Sequence, residues 1–185
     1  MAHIELNNPL PGILGLLEFR KELAAPLTAF TQALLRGPSP LSAAERELIA
    51  AHVSHQNQCN FCFKSHAAAA GALLGVGLGV LEEISNETSR RKVSPRLESL
   101  LAIASQVTRG GRSVSAEHVA RARAAGASDV EVHDTVLIAA AFCMFNRYVD
   151  GLSTFAPEQN EAYLEMGKHL AEHGYVDVPE RSATV

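Results

Sequence analysis

Two cysteines, a histidine and a glutamate lie within twenty residues of one another, and together they could carry redox chemistry. Cys59 and Cys62 are separated by two residues, and His66 follows Cys62 by one helical turn. Glu47 precedes the cysteine pair by twelve residues. Thiols at this spacing can open and close as a disulfide, while an imidazole and a carboxylate can move their protons. We predict that these four side chains form a catalytic site.

The surrounding sequence predicts that two consecutive helices carry these residues. Ser42 followed by Glu45 is a capping-box pattern, which predicts a helix running to about Gln56. Polar residues at 57–60 interrupt this helix, and a second helix then runs to Gly71. Because the connection is so short, we expect a helix-turn-helix whose two helices pack antiparallel.

The position of each side chain on these helices favours thiol chemistry. Cys59 would begin the second helix and Cys62 would lie in its first turn, where the helix dipole and unpaired N–H groups favour a thiolate. His66 shares a face with both thiols, since residues three and four apart are neighbours on a helix. Glu47 on the preceding helix could orient His66. His55, two turns after Glu47, could add a proton carrier, although a histidine at a helix end is more often a polar cap.

The spacing Glu-x11-Cys-x2-Cys-x3-His resembles the alkylhydroperoxidase D-like branch of the carboxymuconolactone decarboxylase superfamily. Residues 41–49 look like the helix that supplies this family's glutamate. Residues 145–152 are similar to the Asn-Arg-x-x-Asp-x-Leu segment of its peroxidase-related subgroup. Together these features extend the resemblance over roughly residues 10 to 155.

The resemblance implies a role for each residue of the motif. Cys62 would be attacked by a hydroperoxide and become a sulfenic acid, and Cys59 would resolve it as a disulfide. His66 and Glu47 would relay the protons. Some members carry a second histidine directly before the peroxidatic cysteine, where this chain has Phe61, so its relay would be shorter.

The same resemblance implies the partners of the protein. It suggests a dithiol reductant, dihydrolipoamide- or thioredoxin-like, and no cofactor or bound metal. It also points to a homo-oligomer, and the sequence favours one independently. Residues 136–145 and 67–81 are apolar on nearly all faces, and a monomer of this size would struggle to cover both.

Other interpretations of the four residues stay open. Two cysteines, a histidine and a carboxylate are legitimate zinc ligands, although no second cysteine or histidine pair supplies the other half of a structural zinc site. A structural disulfide would close a very short loop and add little stability. A lyase acting on a small lactone, as in the decarboxylase branch, would not depend on the cysteine pair. The remaining alternative is a non-enzymatic redox sensor or metal-bound helical scaffold.

Composition narrows the class of protein further. The chain has 185 residues, 47% hydrophobic and only 5% aromatic, with a formal net charge of −4. No cluster of basic residues suggests nucleic-acid binding, and neither a secretory signal nor a membrane-spanning stretch is visible. We therefore expect a cytoplasmic protein. The third cysteine, Cys143, should be a free and largely buried thiol, and His52 is expected at the surface.

The fold class follows from helical patterns along almost the whole chain. Helices are predicted over 11–22 and 26–35, and serine caps predict further helix starts at residues 94, 115 and 128. No alternating apolar pattern indicates a strand. We predict an all-α fold. The resemblance implies a compact helical domain of the alkylhydroperoxidase D-like type, which we place over residues 1–174, followed by a C-terminal tail at 175–185.

Overall fold

The computed structural model describes residues 2–76 and 93–176, and the regular structure of these two ranges is helical. Eight α-helices lie in these two ranges and are numbered here in chain order: α1 (Gly12–Phe19), α2 (Lys21–Arg36), α3 (Ala43–Gln56), α4 (Asn60–Leu74), α5 (Pro95–Arg109), α6 (Ala116–Ala124), α7 (Asp129–Gly151) and α8 (Asn160–His173). A turn of 3-10 helix, Gly111–Ser113, follows α5. The predicted all-α fold is confirmed.

Serine caps determine where several of these helices begin. At α3, the Ser42 hydroxyl accepts a hydrogen bond from the Glu45 N–H, and the Glu45 carboxylate accepts one from the Ser42 N–H. Ser128 and Glu131 form the same reciprocal pair at α7. Arg96 bridges the two glutamates and so ties the starts of α3 and α7 together. Serine caps also begin α5 and α6, as the sequence predicts.

The first two helices depart from their predicted boundaries. The sequence suggests a helix over 11–22 and a second one starting at Pro26. The break instead falls at Arg20, and Pro26 lies inside α2 as its sixth residue. Proline lacks an N–H and interrupts a helix interior. At this position it removes the intrahelical bond that an N–H of residue 26 would donate to the carbonyl of Glu22, four residues before it.

The main core lies between α3, α5 and α7, with contributions from the ends of α2 and α6. Its largest fully buried aliphatic and aromatic side chains are Leu35, Leu41, Ile49, Val53, Leu100, Ile103, Ile138 and Phe142. Helix α4 packs on the opposite side, between α3 and α8. This arrangement places the cysteine-bearing helix between two neighbours and away from bulk solvent.

The alanine-rich part of α4 is covered within the monomer. Residues 67–71 are buried against α3 and α8, so the monomer itself covers this part of the apolar stretch from which the sequence predicts an oligomer. Small residues allow this close approach: a Cβ atom on Gly167 of α8 would lie 2.4 Å from the carbonyl carbon of Ala68. The part of that apolar stretch at 77–81 lies outside the described residues.

An exposed apolar stripe runs along α7. Val130, Leu137 and Met144 are spaced seven residues apart and are 52%, 38% and 47% exposed. Ala140 lies on the same face and is also exposed. The other residues between 136 and 145 are buried or partly buried in the monomer. Within the described parts of the chain, no helix combines the length and the apolar character that crossing a membrane would require.

Candidate active site

The turn between α3 and α4 places both cysteines as the sequence predicts. Gln58 adopts a positive φ of 61°, which turns the chain inward. Cys59 is the N-cap of α4, and its N–H donates to the Ser54 carbonyl at 2.9 Å. Cys62 lies in the first turn of the helix. The helix N-terminus is therefore directed at the thiol pair.

A buried polar network holds this turn against α7. The Asn57 side chain donates to Asn146 Oδ1 at 2.8 Å, and the Asn146 amide donates to Ser54 Oγ at 3.0 Å. Asn146 is 1% exposed and belongs to the 145–152 segment that carries part of the resemblance. Buried amides need such partners, because an unpaired one costs about 1–3 kcal/mol. Asn146 therefore holds in place the turn on which Cys59 lies.

The two thiols are reduced and buried. Cys59 is 0% exposed and Cys62 is 3% exposed, and both pack with Leu16, Val149 and Tyr163. The hydrogen bond between the two thiols and the burial of the site raise the pKa of Cys59, with a smaller contribution from the nearby Asp150. At neutral pH Cys59 is thus a thiol. Its N–H bond to the Ser54 carbonyl holds Cys59 in this buried turn.

Glu47 and His66 meet across the α3–α4 pair. His66 Nδ1 lies 2.7 Å from Glu47 Oε2, so the expected contact between them is confirmed. Glu47 is completely buried and has two further partners on its other oxygen. Arg36 Nη2 and the Tyr175 hydroxyl each lie 2.6 Å from Oε1. Each oxygen of this buried carboxylate therefore has at least one donor.

The charge of Glu47 is maintained by these partners. Burial alone would raise the pKa of Glu47, because it penalises the charged form. The bond and charge of His66, the charge of Arg36 and the Tyr175 hydroxyl outweigh it, and the net effect is a lowered pKa. Glu47 is therefore an anion across the neutral range.

An apolar cavity of about 130 Å³ adjoins the thiol site. Cys62 and His66 both line it, and so does Tyr175, whereas Cys59 is buried beside it and forms no part of its wall. The rest of the wall is mainly aliphatic and aromatic, from α1, α2, α7 and α8. The hydroxyls of Thr28, Thr31 and Ser65 bond to carbonyls of their own helices and present no free donor. The cavity therefore suits a small, largely apolar molecule whose reactive end reaches Cys62.

Phe61 occupies the position where some relatives have a second histidine. It is 4% exposed and packs against Tyr163, with ring centroids 6.1 Å apart. Gly12 faces the ring so closely that a Cβ there would lie 2.2 Å from Phe61 Cδ1. Gly12 also has a φ of +54°, a conformation that glycine adopts without strain. Phe61 is thus a packing residue and cannot carry protons.

Two other histidines differ from the sequence expectations. His55 is not brought to the thiols: its ring packs on Phe63 with centroids 4.9 Å apart, and its buried Nδ1 has no hydrogen-bond partner among the described residues. Eight helical residues amount to two turns plus about 80°, so His55 and Glu47 face different directions. His52, expected at the surface, is 1% exposed, and its Nε2 lies 2.7 Å from Ser105 Oγ on α5.

Arg36 and Tyr175 are site residues that the sequence reasoning missed. Arg36 is the last residue of α2, with no motif around it. The sequence predicts that Tyr175 begins a C-terminal tail. In the structure its N–H donates to Gln32 Oε1 at 2.8 Å and its hydroxyl reaches Glu47, so Tyr175 itself packs against the domain. The sequence offers only a general indication of such residues, since a buried carboxylate needs cationic or hydroxyl partners.

The arrangement is poorly suited to a metal. One Glu47 oxygen is bonded to Arg36 and Tyr175 and the other to His66, so the carboxylate is already occupied by donors. In residues 2–76 and 93–176, no group of three or more histidine, cysteine or acidic side chains is placed to hold a metal ion. The zinc interpretation of the motif has no geometric support among these residues.

Fold and site together define an all-helical dithiol protein, with two adjacent reduced cysteines and a buried glutamate–histidine pair. The model of the carboxymuconolactone decarboxylase family matches residues 21–74 and 80–155. The chain belongs to this family, and its fold is that of the alkylhydroperoxidase D-like type.

Solved structures agree with this assignment. The chain is similar to an uncharacterized peroxidase-related protein from Silicibacter sp. TM1040, with 26% identity and a TM-score of 0.73 over 83% of this chain and 78% of that one. It shares its fold with another, described as an alkylhydroperoxidase AhpD core, from Ralstonia eutropha JMP134, with 23% identity and a TM-score of 0.74 over 86% and 82% of the chains. No curated protein matches the sequence.

Proposed function

We propose that the protein is a thiol-dependent peroxidase that reduces hydroperoxides through a disulfide between Cys59 and Cys62. The observation that carries the proposal is that Cys62 and His66 line one apolar cavity while Cys59 is buried directly beside Cys62. A substrate in the cavity would meet Cys62 first, and a second thiol is within reach of the oxidised product. Both structural relatives are described as peroxidase-related, which supports the same chemistry.

In the first step, the Cys62 thiolate attacks the outer oxygen of the hydroperoxide. An S–O bond forms and the O–O bond breaks, which leaves a sulfenic acid on Cys62 and an alkoxide. His66 takes the Cys62 proton and returns it to the alkoxide, which leaves as an alcohol. Glu47 holds His66 in position for this transfer, as the carboxylate does in other nucleophile–base–carboxylate sites.

In the second step, Cys59 attacks the sulfenic sulfur of Cys62. An S–S bond forms and the S–O bond breaks, and the departing hydroxide takes the Cys59 proton to leave as water. A dithiol of the dihydrolipoamide or thioredoxin type would then reduce the disulfide. The reaction has a physiological setting in the cytoplasm, where such dithiols keep thiols reduced. The apolar cavity favours hydroperoxides with a small alkyl or aryl group.

Thiol counting tests this function directly. The chain contains three cysteines, so the unfolded reduced protein should give three titratable thiols. After one equivalent of cumene hydroperoxide we expect a single thiol, with recovery to three when a dihydrolipoamide-type dithiol is added. Mass spectrometry should find Cys59 and Cys62 in one disulfide-linked peptide.

Other outcomes of the same titration would point to other functions. Three unchanged thiols after peroxide would exclude the peroxidase and favour a lactone-directed lyase, to be assayed separately. A disulfide that forms but is not reduced by any dithiol would indicate a redox sensor. Stoichiometric zinc in the purified protein would reopen the metal-bound scaffold.

We also propose that the protein is a homo-oligomer formed through the stripe on α7. Val130, Leu137 and Met144 recur every seven residues, a spacing at which two helices can pack along their length. Light scattering at micromolar concentration should therefore give a multiple of the 19.8 kDa chain mass. Leu137→Glu with Met144→Glu should return it to 19.8 kDa, and a monomer mass for the unmodified protein would refute the proposal.

A further inference from the structure

We propose that Tyr175 is a positioning residue for the Glu47–His66 pair, and that its hydroxyl, by bonding Glu47, sets how strongly the carboxylate holds a second proton on His66. Tyr175 lies just beyond α8, far from the motif in sequence, yet its side chain reaches the buried carboxylate. The inference rests on the proposed function, because the pair matters for peroxide reduction only if Cys62 is the reacting thiol.

The first step of the argument is the direction of the hydrogen bonds. Tyr175 has one hydroxyl hydrogen, and the distance of 2.6 Å directs it to Glu47 Oε1. The hydroxyl oxygen also lies 3.3 Å from His66 Nδ1. Because its hydrogen is already used, Tyr175 can only accept a bond from Nδ1, and the anionic Glu47 can likewise only accept. Nδ1 of His66 must therefore carry a hydrogen, and in the neutral ring Nε2 is the base.

The second step is how firmly Tyr175 is positioned against the Glu47 carboxylate. Burial, followed by the charge of Glu47, raises the pKa of Tyr175 well above its ordinary value of 10, so the hydroxyl stays protonated at neutral pH. Its ring lies under the Arg36 guanidinium, 5.1 Å from centroid to carbon, and that guanidinium bonds the same Glu47 oxygen. Gln32 on α2 fixes the Tyr175 backbone. The residue is thus anchored at its backbone, its ring and its hydroxyl.

The third step is the effect on His66. Tyr175 and Arg36 both interact with the negative charge of Glu47. They therefore weaken the attraction between Glu47 and the protonated ring of His66. Without the Tyr175 hydroxyl, the carboxylate is a stronger acceptor for His66 and holds its second proton to higher pH. Among the described residues, the titratable and charged groups around this pair are Arg36 from α2, Arg46 and Glu47 from α3, Cys62 and His66 from α4, His169 from α8 and Tyr175 itself. The α7 side chains on the cavity are the uncharged Phe142 and Phe145.

The experiment is a histidine NMR titration of the full-length protein with and without the hydroxyl. In ¹⁵N-histidine protein, His66 signals are assigned by their loss in His66→Gln. The unmodified protein should show a protonated Nδ1 and an unprotonated Nε2. In Tyr175→Phe, which keeps the ring, the midpoint of the His66 titration should rise by about 0.5 to 1 pH unit, because the carboxylate then interacts more strongly with the imidazolium. An unmoved or lowered midpoint overturns the inference.

Two further variants separate positioning from general loosening of the fold. Tyr163→Phe is the matched control, because its buried hydroxyl bonds the Pro157 carbonyl at 3.0 Å and does not touch Glu47. It should leave the His66 midpoint unmoved, and an equal rise in both variants would refute a specific role. Gln32→Ala releases the Tyr175 backbone without altering the site, and it should raise the midpoint in the same direction by a smaller amount.

A kinetic measurement distinguishes this inference from the proposed function. If the imidazolium donates the proton to the leaving alkoxide, the alkaline limb of the single-turnover rate of Cys62 with cumene hydroperoxide should move upward with the NMR midpoint in Tyr175→Phe. If the His66 titration midpoint rises while the alkaline limb of the rate stays fixed, the role of Tyr175 is supported and the proposed proton relay is not. A fixed midpoint would overturn the role of Tyr175 even if peroxide is consumed normally.

Discussion

Replacing Cys62 by serine should abolish peroxide consumption, with a rate indistinguishable from that of buffer. Cys62 is the thiol that lines the cavity and lies in the first turn of α4, where the helix N-terminus favours a thiolate. A serine hydroxyl cannot replace a thiolate as the nucleophile at neutral pH. The measurement is peroxide loss, followed spectrophotometrically with a dithiol in excess.

Cys59→Ser should separate the two steps of the cycle. Its Cys62 should still react once with peroxide and give a sulfenic acid that a dimedone-type reagent traps, but it should not form the internal disulfide. Cys143→Ser provides the matched control, because it removes the third thiol and leaves a hydroxyl that can still accept from the Asn57 side chain, which lies 3.5 Å from Cys143 Sγ; turnover should stay intact. If Cys62→Ser trapped as a sulfenic acid while Cys59→Ser were inert, the two roles would be reversed.

Glu47→Gln should lower the rate of Cys62 oxidation on the order of 100-fold or more. An amide has one acceptor and one donor end, and its oxygen is needed by Arg36 and Tyr175. Its NH₂ group would then face His66 Nδ1 and could bond to it only if that nitrogen were unprotonated. The substitution therefore selects the wrong tautomer of His66, and stopped-flow kinetics of the first peroxide turnover should show the loss.

The same change should also destabilise the fold by about 3–5 kcal/mol at neutral pH, because it leaves the buried Arg36 without its counter-charge. The folded-state pKa of Glu47 is lowered from 4.5, so its stabilising effect is present above that value and is lost as the pH falls through the folded-state pKa. Urea unfolding should thus show the two proteins converging in acid. Glu18→Gln, which breaks an exposed ion pair with Lys21, should change neither the rate of Cys62 oxidation nor the free energy of unfolding. A difference in unfolding free energy between Glu47→Gln and the unmodified protein that persisted in acid would contradict this account.

The helix starts could be predicted from the sequence because caps are local. Ser42 with Glu45, and Ser128 with Glu131, satisfy N–H groups within three residues of each other, and nothing distant is required. The boundary at Pro26 could not be predicted in the same way. Proline is most favourable in the first turn of a helix, so the local sequence predicts a helix start at Pro26. The actual start at Lys21 depends on how α1 and α2 pack.

The core of the site was predictable for a related reason. Glu47 and His66 lie on two helices joined by a short turn, so helical geometry alone brings them together. Arg36 and Tyr175 come from elements 11 residues before Glu47 and 109 residues after His66, and only tertiary packing decides that they meet Glu47. His52 was misplaced because nothing in its own helix reveals that α5 covers that face.

In the proposed cycle, the burial of Cys59 decides how the oxidised protein is regenerated. An incoming dithiol can reach only the Cys62 sulfur of the disulfide, so the mixed disulfide forms on Cys62 and Cys59 is the leaving group. Burial disfavours the thiolate that must depart, and a poor leaving thiol slows exchange. Reduction is then the slow half of the cycle, and the disulfide form accumulates whenever hydroperoxide is plentiful.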